Sequence, residues 1–317
     1  MFLSTSIASA AAGSLEAQAP PPFPIIDTHI HLFDPTRPGG VPWPPPENTV
    51  LYKPALPERY RRIAEPLGIK GAIEVEASPL VEDNQWVLDV EERDTIMVGF
   101  IGNIEPGTAD FRKHLDRYRK NKLYLGIRYG NLWGRNFRQA IARPECIGDL
   151  KYFASHGLTM DSANPNPDLV ADYVKLTDAV PDLRLVIDHL PQLTPPADAA
   201  ANRVYENNLR ELGKRPQVFV KVSEVLRKEK GKVRFDLPFY KRRLDMFFEI
   251  FGEDRLLYGS DWPNSDNWAE YPAVLKIVRE YFAGKGPAAS EKYFWKNSVK
   301  AYRWSRREPG QPDPAKA

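Results

Sequence analysis

Short apolar, β-branched runs alternate along the chain with segments whose apolar residues recur every three to four positions, as expected of repeated strand–helix units. Eight runs read as strands: 25–31, 71–77, 96–103, 123–129, 157–161, 184–189, 218–223 and 255–261. Helical patterns fill the intervals at 57–67, 82–93, 110–120, 144–155, 168–180, 199–212 and 237–251, and two more, 268–282 and 290–302, come after the last strand. Pro57 stands where a first-turn proline belongs, and Gly68, Gly157, Gly213 and Gly252 stand where a C-cap glycine is expected. Eight strands, each followed by a helix, predict an α/β fold: a closed parallel (β/α)8, or TIM, barrel in one domain spanning 23–307. A doubly wound sheet is the rival. It would favour a Gly-rich first turn, and the first turn here is His-rich.

Two insertions interrupt the pattern, a long Pro/Gly-rich loop after strand 1 (34–57, with Trp43 and Tyr52) and a charged stretch after strand 7 (224–236). Both emerge at the C-terminal ends of barrel strands, where this fold places its sites, and predict a partial lid. The tail from Glu308 to 317 is rich in Pro, Gly and Lys and is expected to be disordered. Residues 1–22 open small and apolar, and Ala17-Gln18-Ala19 has a cleavage-like form. A Phe-Leu pair like Phe2-Leu3 comes directly after the paired arginines in a twin-arginine signal. Two readings stay open: a truncated export signal on a periplasmic protein, or an Ala-rich disordered tail on a cytoplasmic one.

Composition narrows the function. The 317 residues are 42% hydrophobic, ample for a core, and 44 basic against 42 acidic side chains leave a net charge of +2. No field draws in nucleic acid or anionic lipid, and no run is long enough to span a membrane. The clusters Arg59/Arg61/Arg62 and Arg227/Lys228/Lys230 read as solvated helix faces. The single cysteine, Cys146, excludes an intrachain disulfide framework and reads as a semi-buried structural residue.

The candidate chemistry lies at strand ends. In His29-Ile30-His31, positions i and i+2 share one strand face, so both imidazoles would enter the barrel mouth. Asp261 ends the last strand, next to the first in a closed barrel, and a buried carboxylate there needs a metal, an imidazole or an attacking water as partner. His189 ends the sixth strand, and Asp188 beside it should then face away from the axis. Glu76, Arg128, Asp161, Lys221 and Ser223 are further inward candidates, with Arg128 suited to clamp a carboxylate. Each has a plain structural alternative as an ion-paired or hydrogen-bonded barrel residue.

Taken together, Asp27-Thr28-His29-Ile30-His31, Glu74-Val75-Glu76-Ala77, Gly126-Ile127-Arg128, Ile187-Asp188-His189, Val220-Lys221-Val222-Ser223 and Tyr258-Gly259-Ser260-Asp261-Trp262-Pro263 resemble the amidohydrolase superfamily. The resemblance is to its amidohydrolase-2 branch and to the lactonase group within it: L-fuconolactonase, L-rhamnonolactonase and 2-pyrone-4,6-dicarboxylate lactonase. It spans nearly the whole chain after residue 22 and implies a hydrolase. The superfamily's strand-5 metal histidine is replaced by Asp161, and strand 4 offers Arg128 and no bridging lysine, which argues against a binuclear centre. What remains is one divalent ion, zinc foremost, on His29, His31, His189 and Asp261, or a metal-free site. The resemblance further implies water attack on a lactone, a sugar lactone or a carboxylated pyrone- or muconolactone-like ester. Asp261 would be the base, His189 and His31 would be oxyanion donors in a metal-free site, and Arg128 and Lys221 would hold the substrate. Glu76, Asp161 and Ser223 would line the site, and Trp43, Tyr52 and Trp262 would close over the ring. The expected partner is an anionic or polyhydroxylated small molecule; homo-oligomerisation stays open. The alternatives are a metal-dependent decarboxylase or hydratase, which would call for a third strong ligand near strand 5, and a non-catalytic sugar-acid-binding barrel.

Overall fold

The computed structural model describes residues 22–163 and 165–317. The segment read as a signal or tail lies outside the described residues, apart from Pro22. The barrel strands are β1 (Ile25–Ile30), β2 (Ile69–Val75), β3 (Met97–Gly102), β4 (Tyr124–Gly130), β5 (Thr159–Ala163), β6 (Arg184–Ile187), β7 (Val218–Ser223) and β10 (Leu256–Gly259). A small hairpin, β8 (Lys228–Glu229) and β9 (Lys232–Val233), precedes the last of them. The eight parallel strands pair in the order β1-β2-β3-β4-β5-β6-β7-β10. Backbone bonds close the ring: Asp261 N–H donates to His29 O (2.8 Å) and His31 N–H to Trp262 O (2.7 Å).

The surrounding helices are α1 (Pro57–Ala64), α2 (Asp83–Glu91), α3 (Phe111–Tyr118), α4 (Phe137–Ile141), α5 (Pro144–Ser155), α6 (Pro167–Ala179), α7 (Ala199–Gly213), α8 (Leu237–Phe251), α9 (Tyr271–Ala283), α10 (Pro287–Glu291) and α11 (Asn297–Tyr302). Every strand and helix expected from periodicity is present, with ends shifted by a few residues; the five-residue α4 and the hairpin gave no periodic signal. Among the described residues, no helix is long and apolar enough to cross a membrane.

Two apolar layers result from strand alternation. Inside the barrel, Ile26, Ile73, Val75, Val98, Leu125, Val186, Phe219 and Leu257 form one cluster. Trp295, Tyr302 and Trp304 from the C-terminal segment join it and floor the barrel, where Thr159 Oγ1 donates to Ala301 O (2.6 Å). The second layer packs the outer strand faces against the helices.

Several expectations are corrected. The tail is docked, not disordered. Gln311 is buried and donates through Nε2 to Thr95 O (2.6 Å), while Glu308 accepts from the Thr95 hydroxyl. Arg307 Nη1 donates to the carbonyls of Glu91 (2.8 Å), Asp94 (3.0 Å) and Met97 (2.7 Å). The free carbonyls around the α2 C-terminus attract these donors, which composition does not reveal. Gly68, Gly157 and Gly252 take positive φ, but Gly213 remains helical; a Cβ there would come within 2.6 Å of Ile250 O, so it serves packing. Arg61 is wired to Asp94 and Glu65 rather than solvated, and Arg227, Lys228 and Lys230 lie at the hairpin, off any helix. Cys146 is fully buried, and burial pushes its thiol up to about 11, consistent with a structural residue.

One buried acid stands apart from any site. Glu91, on α2, has no hydrogen-bond partner at either carboxylate oxygen, and burial holds its carboxyl well above the usual range despite Arg307 nearby. The folded state therefore binds a proton that the unfolded chain releases, so stability falls as pH rises above the ordinary carboxylate value. Glu91→Gln is expected to melt about 2–4 °C above the parent at pH 7.5, for a gain of about 1 kcal/mol. The gain should vanish near pH 4. Scanning calorimetry at the two pH values checks this, and equal melting at pH 7.5 would contradict it.

Candidate active site

The barrel mouth opens into a cavity of about 200 Å3 lined by His31, Trp43, Glu76, Ala77, Arg128, Leu132, Trp133, Pro165, His189, Gln192, Glu224, Asp261 and Asn264. At its base lies Asp261, 1% exposed, at φ +62°. Its Oδ1 is approached by His31 Nε2 (3.2 Å), His29 Nε2 (3.5 Å) and His189 Nε2 (3.7 Å). Its Oδ2 accepts from Asn264 Nδ2 (2.6 Å). Burial alone would raise this carboxyl, but His189, the His31 hydrogen bond and His29 outweigh it and hold Asp261 below the usual range. The His29–His31–His189–Asp261 convergence expected from strand ends is thus present.

Each imidazole is set by what its far nitrogen meets. His31 Nδ1 lies 2.6 Å from Val75 O, so it carries a proton and donates. In the neutral ring, Nε2 is then a lone pair facing the Asp261 oxygen, and two acceptors cannot share 3.2 Å without a cation between them, a proton or a metal. His189 Nδ1 bonds Ser223 Oγ (2.8 Å), and burial depresses its pKa to about 4. His29 is fully buried, and burial followed by the Lys221 charge holds it well below the ordinary imidazole value.

Beneath the cavity runs a closed polar layer. Lys221 Nζ contacts Asp161 Oδ2 (2.6 Å), Asp188 Oδ1 (3.1 Å) and His29 Nδ1 (3.1 Å), and none of the four residues is exposed. The Tyr302 hydroxyl, rising from the floor, contacts both Asp161 oxygens at 3.0 Å. Asp161 and Lys221 therefore point inward as expected but are sealed below the cavity. Ser223 supports His189 and is likewise absent from the lining.

The remaining expectations divide. Glu76 and Arg128 line the cavity. Glu76 Oε2 accepts from Trp133 Nε1 (3.0 Å), and Arg128 Nε donates to Ser162 O (3.1 Å). Trp43 reaches the cavity from the long loop, edge-on to His31, but Tyr52 on the same loop does not. Trp262 is fully buried behind the site, between Tyr60 and Arg59, so it cannot cover a ligand. The Asp188 expectation was wrong. Val186 is the inward residue of β6, so Asp188, two positions on, continues inward. His189 re-enters the site only because its backbone turns left-handed, at φ +51°.

Sequence reading missed Glu224, Trp133, Gln192 and Asn264. Glu224, at φ +50°, accepts at Oε1 from Gln192 Nε2 (2.8 Å) and holds Oε2 3.9 Å from His189 Nδ1. Burial, then the Asp261 charge, pushes its carboxyl up to about 8. It directly follows the inward-facing Ser223, which was the available signal.

The donors suit a divalent cation. His29, His31 and Asp261, His29, Asp188 and His189, and His189, Glu224 and Asp261 each bring three ligand atoms within 4.8 Å of one another. Imidazole nitrogen with carboxylate oxygen is a normal zinc donor set, and the facing acceptors of His31 and Asp261 call for positive charge.

Comparison with known proteins agrees with this architecture. The amidohydrolase (Amidohydro_2) family model matches residues 26–304. An L-fucono-1,5-lactonase of Burkholderia ambifaria is 25% identical over 291 residues, covering 89% of this chain and 96% of its own. A zinc-bound amidohydrolase of Burkholderia multivorans superposes with TM-score 0.78 at 20% identity, over 89% of this chain and all of that one. A probable 2-pyrone-4,6-dicarboxylic acid hydrolase of Acinetobacter baumannii, with citric acid bound, superposes with TM-score 0.69 at 18% identity, over 87% and 98%.

Removing Lys221 should expose the cost of the sealed layer. Lys221→Met leaves Asp161 and Asp188 without their cation, a change typically worth about 3–5 kcal/mol. Burial already pushes Asp161 up to about 7 beside Lys221, so it will take up a proton and keep the loss near the lower end at pH 6. The unfolded chain releases that proton, so the loss should grow toward pH 9. Adding Asp161→Asn should recover part of it. Urea unfolding at both pH values measures these differences; a pH-independent loss would refute the assignment.

Proposed function

We propose that this chain, which belongs to the amidohydrolase family, opens a lactone by direct attack of water, with Asp261 as general base. The observation that carries the reading is the Asp261 carboxyl at the base of an open cavity, ringed by three imidazoles that hold it below the usual range, with the Arg128 guanidinium in the same wall. The curated lactonase relative, matched over nearly its full length, supports the substrate class. The pyrone-dicarboxylic acid hydrolase, with a tricarboxylate bound, supports an anionic one.

Asp261 accepts a proton from the attacking water as its oxygen bonds to the lactone carbonyl carbon. The ring C–O bond then breaks, and Asp261 returns the proton to the departing alkoxide. Asn264 on Oδ2 leaves Oδ1 to do this work. When the Ser223 hydroxyl donates to His189 Nδ1, His189 Nε2–H is free to stabilise the oxyanion, a contribution of about 2.7–4 kcal/mol for such a donor. The neutral His31 ring gives its one proton to Val75 O, so it becomes a second oxyanion donor only when Nε2 carries a further proton. Arg128 is placed to take a substrate carboxylate or hydroxyls, and Trp43 and Trp133 flank the opening. Lys221, sealed below, takes no part in substrate contact. A divalent metal, when held by Asp261 and His31 with His189 or Glu224, would activate water or polarise the carbonyl. The decarboxylase alternative called for a third strong ligand near strand 5. Asp161, at that place, is committed to Lys221 and Tyr302.

Proton release over a panel of sugar lactones and carboxylated pyrones tests the reading. Asp261→Asn should lower kcat/KM by about 10²–10⁴ on the best substrate. Arg128→Met should chiefly raise KM, and more for carboxylated than for neutral lactones. Near-parental turnover by Asp261→Asn would remove the proposed base.

A further inference from the structure

We infer that the divalent cation of this site is held by His189, Glu224 and Asp261, beside His31, and that Lys221 keeps His29 from serving as a ligand. The inference deepens the functional reading of the same cavity, but it concerns ion binding and can be tested without turnover.

A ligating imidazole presents a lone pair to the metal and must therefore carry its proton on the other nitrogen, normally donated to a carbonyl or carboxylate. His31 meets this condition, with Nδ1 2.6 Å from Val75 O. His189 meets it when Nδ1–H donates to Ser223 Oγ at 2.8 Å. His29 does not. Its Nδ1 faces the Lys221 ammonium at 3.1 Å, and an ammonium has only protons to give. The nearest acceptor, Asp188 Oδ1, is 3.6 Å from that nitrogen and itself 3.1 Å from Lys221. With Nδ1 accepting from Lys221, the neutral His29 ring carries its proton on Nε2. That is the nitrogen a metal would need, and it lies buried without a hydrogen-bond partner.

Position agrees with protonation. His29 is fully buried and does not line the cavity, whereas His31, His189, Glu224 and Asp261 all do. Of the three donor sets with ligand-forming spacing among the described residues, two depend on His29; the third is His189, Glu224 and Asp261. Its two carboxylates balance a dication. The His29–Asp188–His189 set already has its charge matched by Lys221, with Arg128 Nε also 3.5 Å from Asp188. Lys221 thus acts as a built-in cation under the site, and one exchangeable ion above it completes the charge balance.

The test is metal binding by the full chain. Stripped protein is titrated with cobalt(II), read by its visible absorption and by competition with a chromophoric chelator, for the parent, Glu224→Gln and His29→Gln. The parent should bind one equivalent. Glu224→Gln should weaken binding at least 30-fold, and His29→Gln should change it less than threefold. A large loss in His29→Gln, an unchanged Glu224→Gln, or no binding by the parent would each overturn the inference. Because a buried substitution can disturb folding, the parent is also followed by 15N–1H histidine spectra during zinc titration. The His29 Nε2–H signal should persist while His189 Nε2 shifts; loss of the His29 proton on zinc addition would overturn the assignment. A failed lactone screen would leave these outcomes untouched, so the two readings can fail separately.

Discussion

A charge enclosed by a barrel must find its counter-charge inside the barrel, because water cannot supply one. This constraint organises the site from below. Asp161 and Asp188 rise from β5 and the end of β6, Lys221 from β7 stands between them, and Tyr302 from the floor closes the layer. The C-terminal segment is therefore not a mere cap: it supplies the apolar floor through Trp295 and Trp304 and one polar contact through Tyr302. The layer in turn sets what His29 can do, since the nitrogen nearest Lys221 must accept. The active face is thus tuned by groups that no substrate touches.

The next level is geometric. His189, Glu224 and Asp261 all have positive φ, a conformation costly for non-glycine residues, of order 1–3 kcal/mol each. Each lies just beyond a strand's regular end. A strand can offer only alternate residues to the axis, but a left-handed turn lets a further side chain swing back over the mouth. Asp188 and His189 both face the site for this reason, as do Ser223 and Glu224. Backbone strain at these ends gives a denser set of functional groups than strand alternation allows.

The same distinction explains what could be read from the chain. The barrel was legible because apolar periodicity reports burial, and burial is what strands and helices share across the whole fold. Asp161, Lys221, Ser223 and Asp261 were legible because they obey strand alternation at strand ends, and His29 and His31 because positions i and i+2 share a face with each other, although the irregularity between Asp27 and Ile30 breaks their phase with Ile26. Asp188 was misplaced and Glu224 overlooked because backbone handedness at a single residue leaves no periodic trace. Trp262 misled for the opposite reason: an aromatic after a strand-end carboxylate suggests a cover, yet the turn at Asp261 sends it behind the barrel against Tyr60. The docked tail shows the limit of composition. Pro, Gly and Lys suggest disorder, but one glutamine and one arginine with several carbonyls in reach suffice to order it.

Asp27 ties these levels together. It is fully buried on β1, and its Oδ1 accepts from Ser260 N–H (2.8 Å) and His29 N–H (3.2 Å). Its Oδ2 accepts from the hydroxyls of Tyr60 and Tyr271, each at 2.8 Å. One side chain therefore reinforces the two backbone bonds at the seam where β1 meets β10 and anchors that seam to α1 and α9. The register of β1 against β2 is irregular between Asp27 and Ile30, so the placement of His29 rests on the other seam, where Asp261 N–H donates to His29 O. A carboxylate that bonds the amide just before Asp261 and the amide of His29 braces that contact. Burial pushes Asp27 up from its ordinary value, while the Ser260 and tyrosine hydrogen bonds pull the other way, so its ionised form depends on those donors. The first residue of the Asp-Thr-His-Ile-His run is thus a positioning residue. Its hydrogen bonds help hold two strand ends at the distance that brings His29 and His31 to Asp261.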